Sequence, residues 1–140
     1  MDYKRPRRKR CPRLESSLMP HRSLVSVVDD DESVRESLPD LLRECGFAVQ
    51  SFASAEECLC SKWVTRTHCL VLDIAMPEVS GPELQQVLKA RHQDIPIVFI
   101  TADRDERGRA ARLAQGAVEC LFKPFSEADL LRAVHAALGV

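Results

Sequence analysis

The sequence predicts an α/β protein with a doubly wound, five-stranded parallel sheet and five helices. Short, nearly unbroken apolar runs alternate with longer amphipathic segments, and this unit recurs five times along the 140 residues. Strands that are apolar throughout are typical of parallel sheets covered by helices on both faces. The length and the 45% hydrophobic content are those of one soluble domain.

The five predicted strands are rich in β-branched and aliphatic residues, the second alternates apolar and polar residues, and polar residues directly follow the other four. They are expected over residues 24–28, 47–52, 69–72, 97–100 and 118–122.

The five predicted helices follow the strands, and most have a recognisable start or stop signal. Ser33 is expected to cap the first helix and Gly46 to end it, while Pro39 predicts a kink or a later start. The helices are expected over 33–45, over 55–62 after a Ser54 cap, from Gly81-Pro82 onward, over 105–115, and from Ser126 onward, where Asp129 completes a variant of the capping box.

Charge divides the chain into a basic arm and an acidic domain. Residues 1–22 hold eight Lys and Arg against Asp2 and Glu15, a net charge of +6, whereas residues 23–140 carry −7. Such an arm is typically a solvated, disordered tail or a misassigned start, and contact with nucleic acid is the alternative. Only Tyr3 could stack on bases there, which favours the tail. We therefore expect an arm over 1–22 and a domain over 23–140.

The cysteines and histidines give no sign of a metal centre. Cys58-Leu59-Cys60 is one residue too tight for a C-x-x-C motif, and the other cysteines lack zinc-site spacing. We expect reduced thiols in a cytoplasmic protein, because no apolar run approaches the roughly 20 residues of a membrane helix and no signal peptide is evident. The residues concerned are Cys11, Cys45, Cys58, Cys60, Cys69 and Cys120, with His21, His68, His92 and His135 expected at the surface.

Polar residues follow four of the five predicted strands. They are the run 29–31 (three aspartates), Asp73, Thr101 and Lys123. Because ligands of doubly wound sheets bind beyond the carboxyl ends of the strands, these side chains are expected to converge. Clustered carboxylates repel one another unless a cation lies among them, and oxygen ligands suit Mg²⁺. With a lysine and a hydroxyl, they could neutralise a phosphoryl group on a carboxylate nucleophile.

These residues resemble the receiver domain of bacterial response regulators, a CheY-like, flavodoxin-like fold with strand order 2-1-3-4-5. The resemblance covers about residues 23–138, and five motifs in order at consecutive strand ends make it specific. Within the family the chain is most similar to receivers of FixJ-like transcription regulators. The motifs are Val27-Val28-Asp29-Asp30, Leu72-Asp73-Ile74-Ala75-Met76-Pro77, Ser80-Gly81, Thr101-Ala102 and Lys123-Pro124-Phe125.

The resemblance implies that Asp73 accepts a phosphoryl group from a phosphohistidine on a sensor histidine kinase. Asp30 and Asp73 would bind Mg²⁺ directly together with the backbone carbonyl of Ala75, while Asp29 would act mainly through water. For Asp31 a helix-capping role is preferred.

At the same edge, the resemblance implies that Thr101 hydrogen-bonds the phosphoryl oxygens and that Lys123 pairs with them after a cis bond to Pro124. Two positions depart from the family pattern. Ala75 occupies a position that often carries a polar side chain affecting hydrolysis, and Cys120 replaces the usual aromatic switch residue.

The predicted function is therefore a phosphorylation switch of a two-component system, which is not an enzyme beyond weak self-dephosphorylation. Phosphorylation-dependent dimers through the helix 4–strand 5–helix 5 face are expected, and DNA would be contacted only through an output domain outside this chain. The alternatives are a single-domain regulator acting through protein partners and a magnesium-dependent aspartyl phosphatase. A phosphatase would typically carry a second acid at the position of Ala75.

Overall fold

Five parallel strands form the single sheet of the computed structural model, which describes residues 23–139. The strand order is β2-β1-β3-β4-β5, as expected from the resemblance. The strands are β1 Leu24–Val28, β2 Ala48–Phe52, β3 Cys69–Asp73, β4 Ile97–Thr101 and β5 Glu119–Phe122.

Five helices connect and follow the strands, and their bounds fall within a few residues of the predicted ones. A short 3₁₀ turn at Val64–Arg66 was not predicted. The helices are α1 Glu32–Glu44, α2 Ala55–Leu59, α3 Gly81–Ala90, α4 Glu106–Ala114 and α5 Glu127–Leu138.

The start of α1 confirms the capping role expected of Asp31 and corrects the one expected of Ser33. Asp31, and not Ser33, is the N-cap, because its side chain accepts a hydrogen bond from the Ser33 backbone N–H at 3.0 Å. The pKa of Asp31 is lowered, chiefly by its hydrogen bond with the Ser33 side chain. Pro39 lies inside the helix, so the late start is also wrong: the helix begins at Glu32 and continues past the proline.

Two apolar clusters, one on each face of the sheet, form the core. Strands β1, β3 and β4 are buried at every position, as near-continuous apolar runs predict. Alternation of side chains along a strand sends Val71 to one cluster, and Leu70 and Leu72 to the other.

The register of the sheet aligns the carboxyl ends of its strands. Val28 lies opposite Leu72, and Asp73 opposite Ile100. Thr101 in turn lies opposite Phe122. The residues that follow β1, β3, β4 and β5 therefore share one edge, and the strand order reverses between β1 and β3, where such folds bind ligands.

The remaining predictions concern the cysteines, the histidines, membrane-spanning helices and the basic arm. Cys58, Cys60, Cys69 and Cys120 have free thiols, and burial raises the pKa of Cys69 to about 12. None of the helices within residues 23–139 has the length and apolar character to span a membrane. His68 and His92 are exposed as predicted. The arm over 1–22, with Cys11 and His21, lies outside the described residues.

Candidate functional site

Asp73 is a buried carboxylate at the end of β3. Only 5% of the residue is exposed. Burial, followed by the charge of Asp29, raises the pKa of Asp73 from 3.8 to about 7, while Lys123 opposes the rise. A hydrogen bond and the charge of Asp30 raise it further. The group therefore ionises near neutral pH and is poised to respond to an added cation.

Asp29 is fully buried beside Asp73 and is held by hydrogen bonds. Its backbone N–H donates to the carbonyl of Phe52 at 3.1 Å, and its own carbonyl accepts from the Arg35 guanidinium at 2.9 Å. One carboxylate oxygen accepts from the Asp31 N–H at 2.8 Å and the other from the Lys123 ammonium at 2.9 Å. Both oxygens are thus already bonded within the protein.

Lys123 supplies the positive charge of the cluster. Its Nζ lies 2.9 Å from Asp29 Oδ2 and 4.0 Å from Asp73 Oδ1, so it can interact with both carboxylates. Its backbone N–H donates to the Thr101 carbonyl at 2.7 Å, which fixes the start of the loop after β5. The bond to Pro124 is cis, as the resemblance implied.

Asp29, Asp30 and Asp73 form an oxygen-only cluster whose ligand atoms lie within 4.8 Å of one another. Three carboxylates against one lysine leave excess negative charge, and an oxygen donor set suits a hard divalent cation such as Mg²⁺. Asp30 is exposed and can be reached from solvent. Since both oxygens of Asp29 are engaged, Asp30 and Asp73 have the more available ligand atoms, and the residues present fit the ion.

Thr101 ends β4 on the same edge and is 5% exposed. Its Oγ1 accepts a hydrogen bond from the backbone N–H of Asp103 at 3.1 Å. The hydroxyl can still donate its own proton, and a rotation of the side chain away from Asp103 would break its bond to the following loop. Side chain and loop are therefore mechanically linked.

Helix α3 approaches the end of β3 closely because its first residue is Gly81. A Cβ added there would lie 2.5 Å from the Asp73 carbonyl oxygen, closer than real Cβ atoms come. The Gly81 N–H donates to the Ile74 carbonyl at 3.0 Å, and Ser80 forms a capping box with Glu83. The motif Ser80-Gly81 was quoted from the sequence, but the close approach to the backbone of Asp73 was not anticipated.

Cys120 lies in β5, opposite Phe99, and is 2% exposed. Its carbonyl accepts from Arg109 Nε at 3.2 Å, and Arg109 also pairs with Glu119 at 2.9 Å. This link between α4 and β5 was missed by sequence reasoning. Arg109 and Glu119 are ten residues apart on different elements, so no periodic pattern in the sequence predicts that they pair.

Comparisons with known proteins agree with this geometry. The model of the response regulator receiver domain family matches residues 25–135. Over 116 residues the chain is 40% identical to the response regulator protein TodT of Pseudomonas putida, covering 83% of this chain and 51% of TodT. It is 44% identical to the transcriptional regulatory protein TdiR of Thauera aromatica over 119 residues, covering 84% and 52% of the two chains.

Solved structures give the same result. The response regulator StyR has a TM-score of 0.77 and 47% identity, over 85% of this chain and 60% of StyR. The crystal structure of FixJ-N has a TM-score of 0.76 and 34% identity, over 85% and 95%. The chain spans about half the length of the curated relatives TodT and TdiR. With the family model matching most of its length, the chain belongs to the receiver domains of two-component response regulators.

Proposed function

We propose that this chain is a phosphorylation switch in which Asp73 accepts a phosphoryl group from a histidine kinase. The observation that carries the proposal is the position of Asp73, a buried carboxylate between an acid pair and a lysine at the strand edge. In the reaction, an ionised Asp73 oxygen attacks the phosphorus, an O–P bond forms, and the N–P bond of the phosphohistidine breaks. The electron pair returns to the imidazole, which leaves as the neutral base or takes a proton from solvent.

Mg²⁺ is the metal that we propose for the oxygen cluster. Asp30, Asp73 and the backbone carbonyl of Ala75 would be its direct protein ligands. Asp29 would act through water, because its two oxygens already accept bonds from Asp31 and Lys123. When bound, the ion would neutralise charge on the phosphoryl oxygens and lower the pKa of the acceptor.

Lys123 and Thr101 would bind the oxygens of the phosphoryl group once it is attached to Asp73. Lys123 Nζ, 4.0 Å from the acceptor carboxylate, is near enough to pair with a phosphoryl oxygen after a small rotation away from Asp29. The Thr101 hydroxyl would donate to another oxygen. In doing so it would give up the bond from the Asp103 N–H and so move the loop that leads into α4.

The output that we propose is transcription regulation, through a DNA-binding domain outside this chain, because TdiR and FixJ are transcriptional regulatory proteins. The phosphorylated domain would associate through the face formed by α4, β5 and α5. A single-domain regulator acting through protein partners is the alternative. Catalytic phosphatase turnover is disfavoured, since Ala75 stands where a phosphatase would carry its second acid, and only weak self-dephosphorylation is expected.

Residues 23–140 would form the receiver domain, and residues 1–22 a basic arm outside it. The cytoplasm is the compartment that we propose, since the four free thiols noted above suit a reducing environment.

The test is phosphorylation by acetyl phosphate with Mg²⁺, followed by mass mapping of the adduct. We expect one added phosphoryl group on Asp73, and none in Asp73→Asn. Asp94→Asn, an exposed aspartate outside the cluster, is the matched control and should be labelled like the wild type. Label that persists in Asp73→Asn, or that maps to a serine or histidine, would refute the assignment.

A further inference from the structure

Arg35 reaches from helix α1 back to the end of strand β1. It is the fourth residue of α1, and its guanidinium Nη1 donates a hydrogen bond to the backbone carbonyl of Asp29 at 2.9 Å. The side chain is half-buried. Arg35 takes no part in the phosphorylation chemistry proposed above, yet its bond ends inside the aspartate cluster.

The bonded carbonyl belongs to the peptide group that joins Asp29 to Asp30. A peptide group is planar, so a bond to its oxygen fixes the orientation of the whole plane and the direction in which Asp30 leaves it. Asp29 is held independently, because its two carboxylate oxygens accept hydrogen bonds from Asp31 and Lys123. Loss of the Arg35 bond would therefore affect Asp30 more than Asp29.

Asp30 depends on its backbone for its orientation. Its side chain is exposed. The Asp30 carboxyl hydrogen-bonds the Asp73 carboxyl, and within residues 23–139 it makes no other hydrogen bond. When both groups are ionised they repel each other. With the peptide free to rotate, this repulsion would turn the Asp30 carboxylate away from Asp73 and toward solvent.

Neither helix stability nor charge at the acceptor accounts for an arginine at this position. Arg35 lies at the amino-terminal end of α1, where the helix dipole disfavours a cation. The pKa of Asp73 is raised by burial and then by the charge of Asp29, and Lys123 is the cation that lowers it. The contribution of Arg35 to the site is thus its contact with the Asp29 carbonyl.

We propose that Arg35 is a positioning residue of the phosphorylation site. Its bond holds the peptide between Asp29 and Asp30, and so keeps the Asp30 carboxylate beside Asp73 as a ligand for a divalent cation. The inference rests on the proposed function, because it concerns the same metal and the same acceptor. Groups that orient metal ligands without touching the metal typically change metal affinity about 10- to 100-fold when they are removed.

The experiment derives Mg²⁺ affinity from the stabilisation of the full chain against urea, read by the fluorescence of Trp63, its one tryptophan. We expect Arg35→Gln to bind Mg²⁺ about tenfold more weakly than the wild type. Arg35→Lys, which keeps the charge and one donor group, should lose less. The sign separates two roles of Arg35: its charge repels a cation, so removal of the charge alone would tighten Mg²⁺ binding, whereas loss of the bond weakens it.

Arg43→Gln is the matched control, because Arg43 makes the same kind of bond at the other end of α1. Its guanidinium donates to the Val49 carbonyl at 3.1 Å, also six residues along the chain. Val49 pairs with Val25 near the amino-terminal ends of the strands, away from the aspartates. Without metal, Arg35→Gln and Arg43→Gln should lose similar stability, but Arg43→Gln should keep its Mg²⁺ affinity within about twofold of the wild type.

Labelling of Asp73 by acetyl phosphate gives a second readout. Arg35→Gln should need about tenfold more Mg²⁺ for half its maximal rate. At saturating Mg²⁺ its rate should stay within about threefold of the wild type, since Asp73 and Lys123 are unchanged. In an Asp30→Asn background, Arg35→Gln should change Mg²⁺ affinity less than about twofold, because the carboxylate that it positions has gone.

Three results would overturn the inference. In the first, Arg35→Gln binds Mg²⁺ as tightly as the wild type or more tightly. In the second, Arg43→Gln loses as much Mg²⁺ affinity as Arg35→Gln, and in the third the loss persists in the Asp30→Asn background. If the wild type is labelled on Asp73 in these cases, the proposed function stands. A wild type that is neither labelled on Asp73 nor stabilised by Mg²⁺ would refute the proposed function, and this inference with it.

Discussion

Replacing Asp73 by asparagine should stabilise the metal-free protein at alkaline pH and remove a pH dependence. Asparagine has nearly the same shape as aspartate but carries no charge. The substitution therefore removes the repulsion and desolvation that the buried carboxylate suffers beside Asp29, while it leaves the packing at the end of β3 in place.

The pKa of Asp73 gives the magnitude. It rises from 3.8 to about 7, chiefly through burial. This rise in the pKa corresponds to roughly 4 kcal/mol, an upper limit for the cost of ionising Asp73 in the folded state. Because the folded-state pKa is the higher one, the unfolded chain releases this proton between about pH 4 and pH 7 while the folded chain retains it. The wild type should therefore lose stability as the pH rises through that window.

The assay is urea unfolding followed by Trp63 fluorescence, in EDTA, at one-unit steps from pH 4 to pH 8. At pH 8 we expect Asp73→Asn to be more stable than the wild type by about 1–4 kcal/mol, and at pH 4 the two should be nearly equal. Asp94→Asn, an exposed control, should follow the wild-type profile. An Asp73→Asn variant that is less stable than the wild type at pH 8, or that differs from it equally at every pH, would refute this account of the site.

Three further predictions follow from the same geometry. Mg²⁺ should stabilise the wild type, because a ligand that binds only the folded state favours that state. Asp30→Asn should reduce this stabilisation and, without metal, should be at least as stable as the wild type. A metal-free Asp30→Asn variant that is clearly less stable than the metal-free wild type would contradict this. Gly81→Ala should cost about 1–3 kcal/mol in urea unfolding, since the new Cβ meets the Asp73 carbonyl at 2.5 Å. Its control, Gly108→Ala, meets only the flexible Asp105 side chain and should cost less, and equal costs would discount the close approach. Deleting residues 1–22 should leave unfolding and acetyl phosphate labelling intact; loss of either would make the arm part of the domain.

The fold could be predicted because most of the strands are short apolar runs and polar residues follow four of the five. The apolar run 69–72 predicts a buried strand. Asp73, which follows it, marks the edge of the sheet where that strand ends. Periodicity does not show which strands are neighbours, so the strand order could be predicted only from the family resemblance.

What could not be predicted depends on contacts between distant residues. The pairing of Lys123 with Asp29 at 2.9 Å, nearer than with Asp73, reflects three-dimensional placement across 94 residues.

Substitution of Cys120 is the strictest test of how phosphorylation of Asp73 would control the face formed by α4, β5 and α5. The resemblance expects an aromatic ring here that turns when Thr101 moves, whereas Cys120 is small, 2% exposed and packed opposite Phe99. Association should therefore depend on phosphorylation through the Thr101 loop, but with less coupling than an aromatic ring would give.

The measurement is self-association with and without beryllofluoride, a phosphoryl mimic, for the wild type, Thr101→Ala and Cys120→Phe. Coupling should fall in Thr101→Ala, which loses the hydroxyl that bonds the Asp103 N–H. It should rise in Cys120→Phe, although overpacking should lower the stability of that variant by about 1–3 kcal/mol. Coupling between sites is typically about 1–3 kcal/mol, so a change of half that size is measurable. If Cys120→Phe stays folded and the mimic-induced association is unchanged, position 120 takes no part in the switch, and the Arg109 link between α4 and β5 becomes the next element to vary.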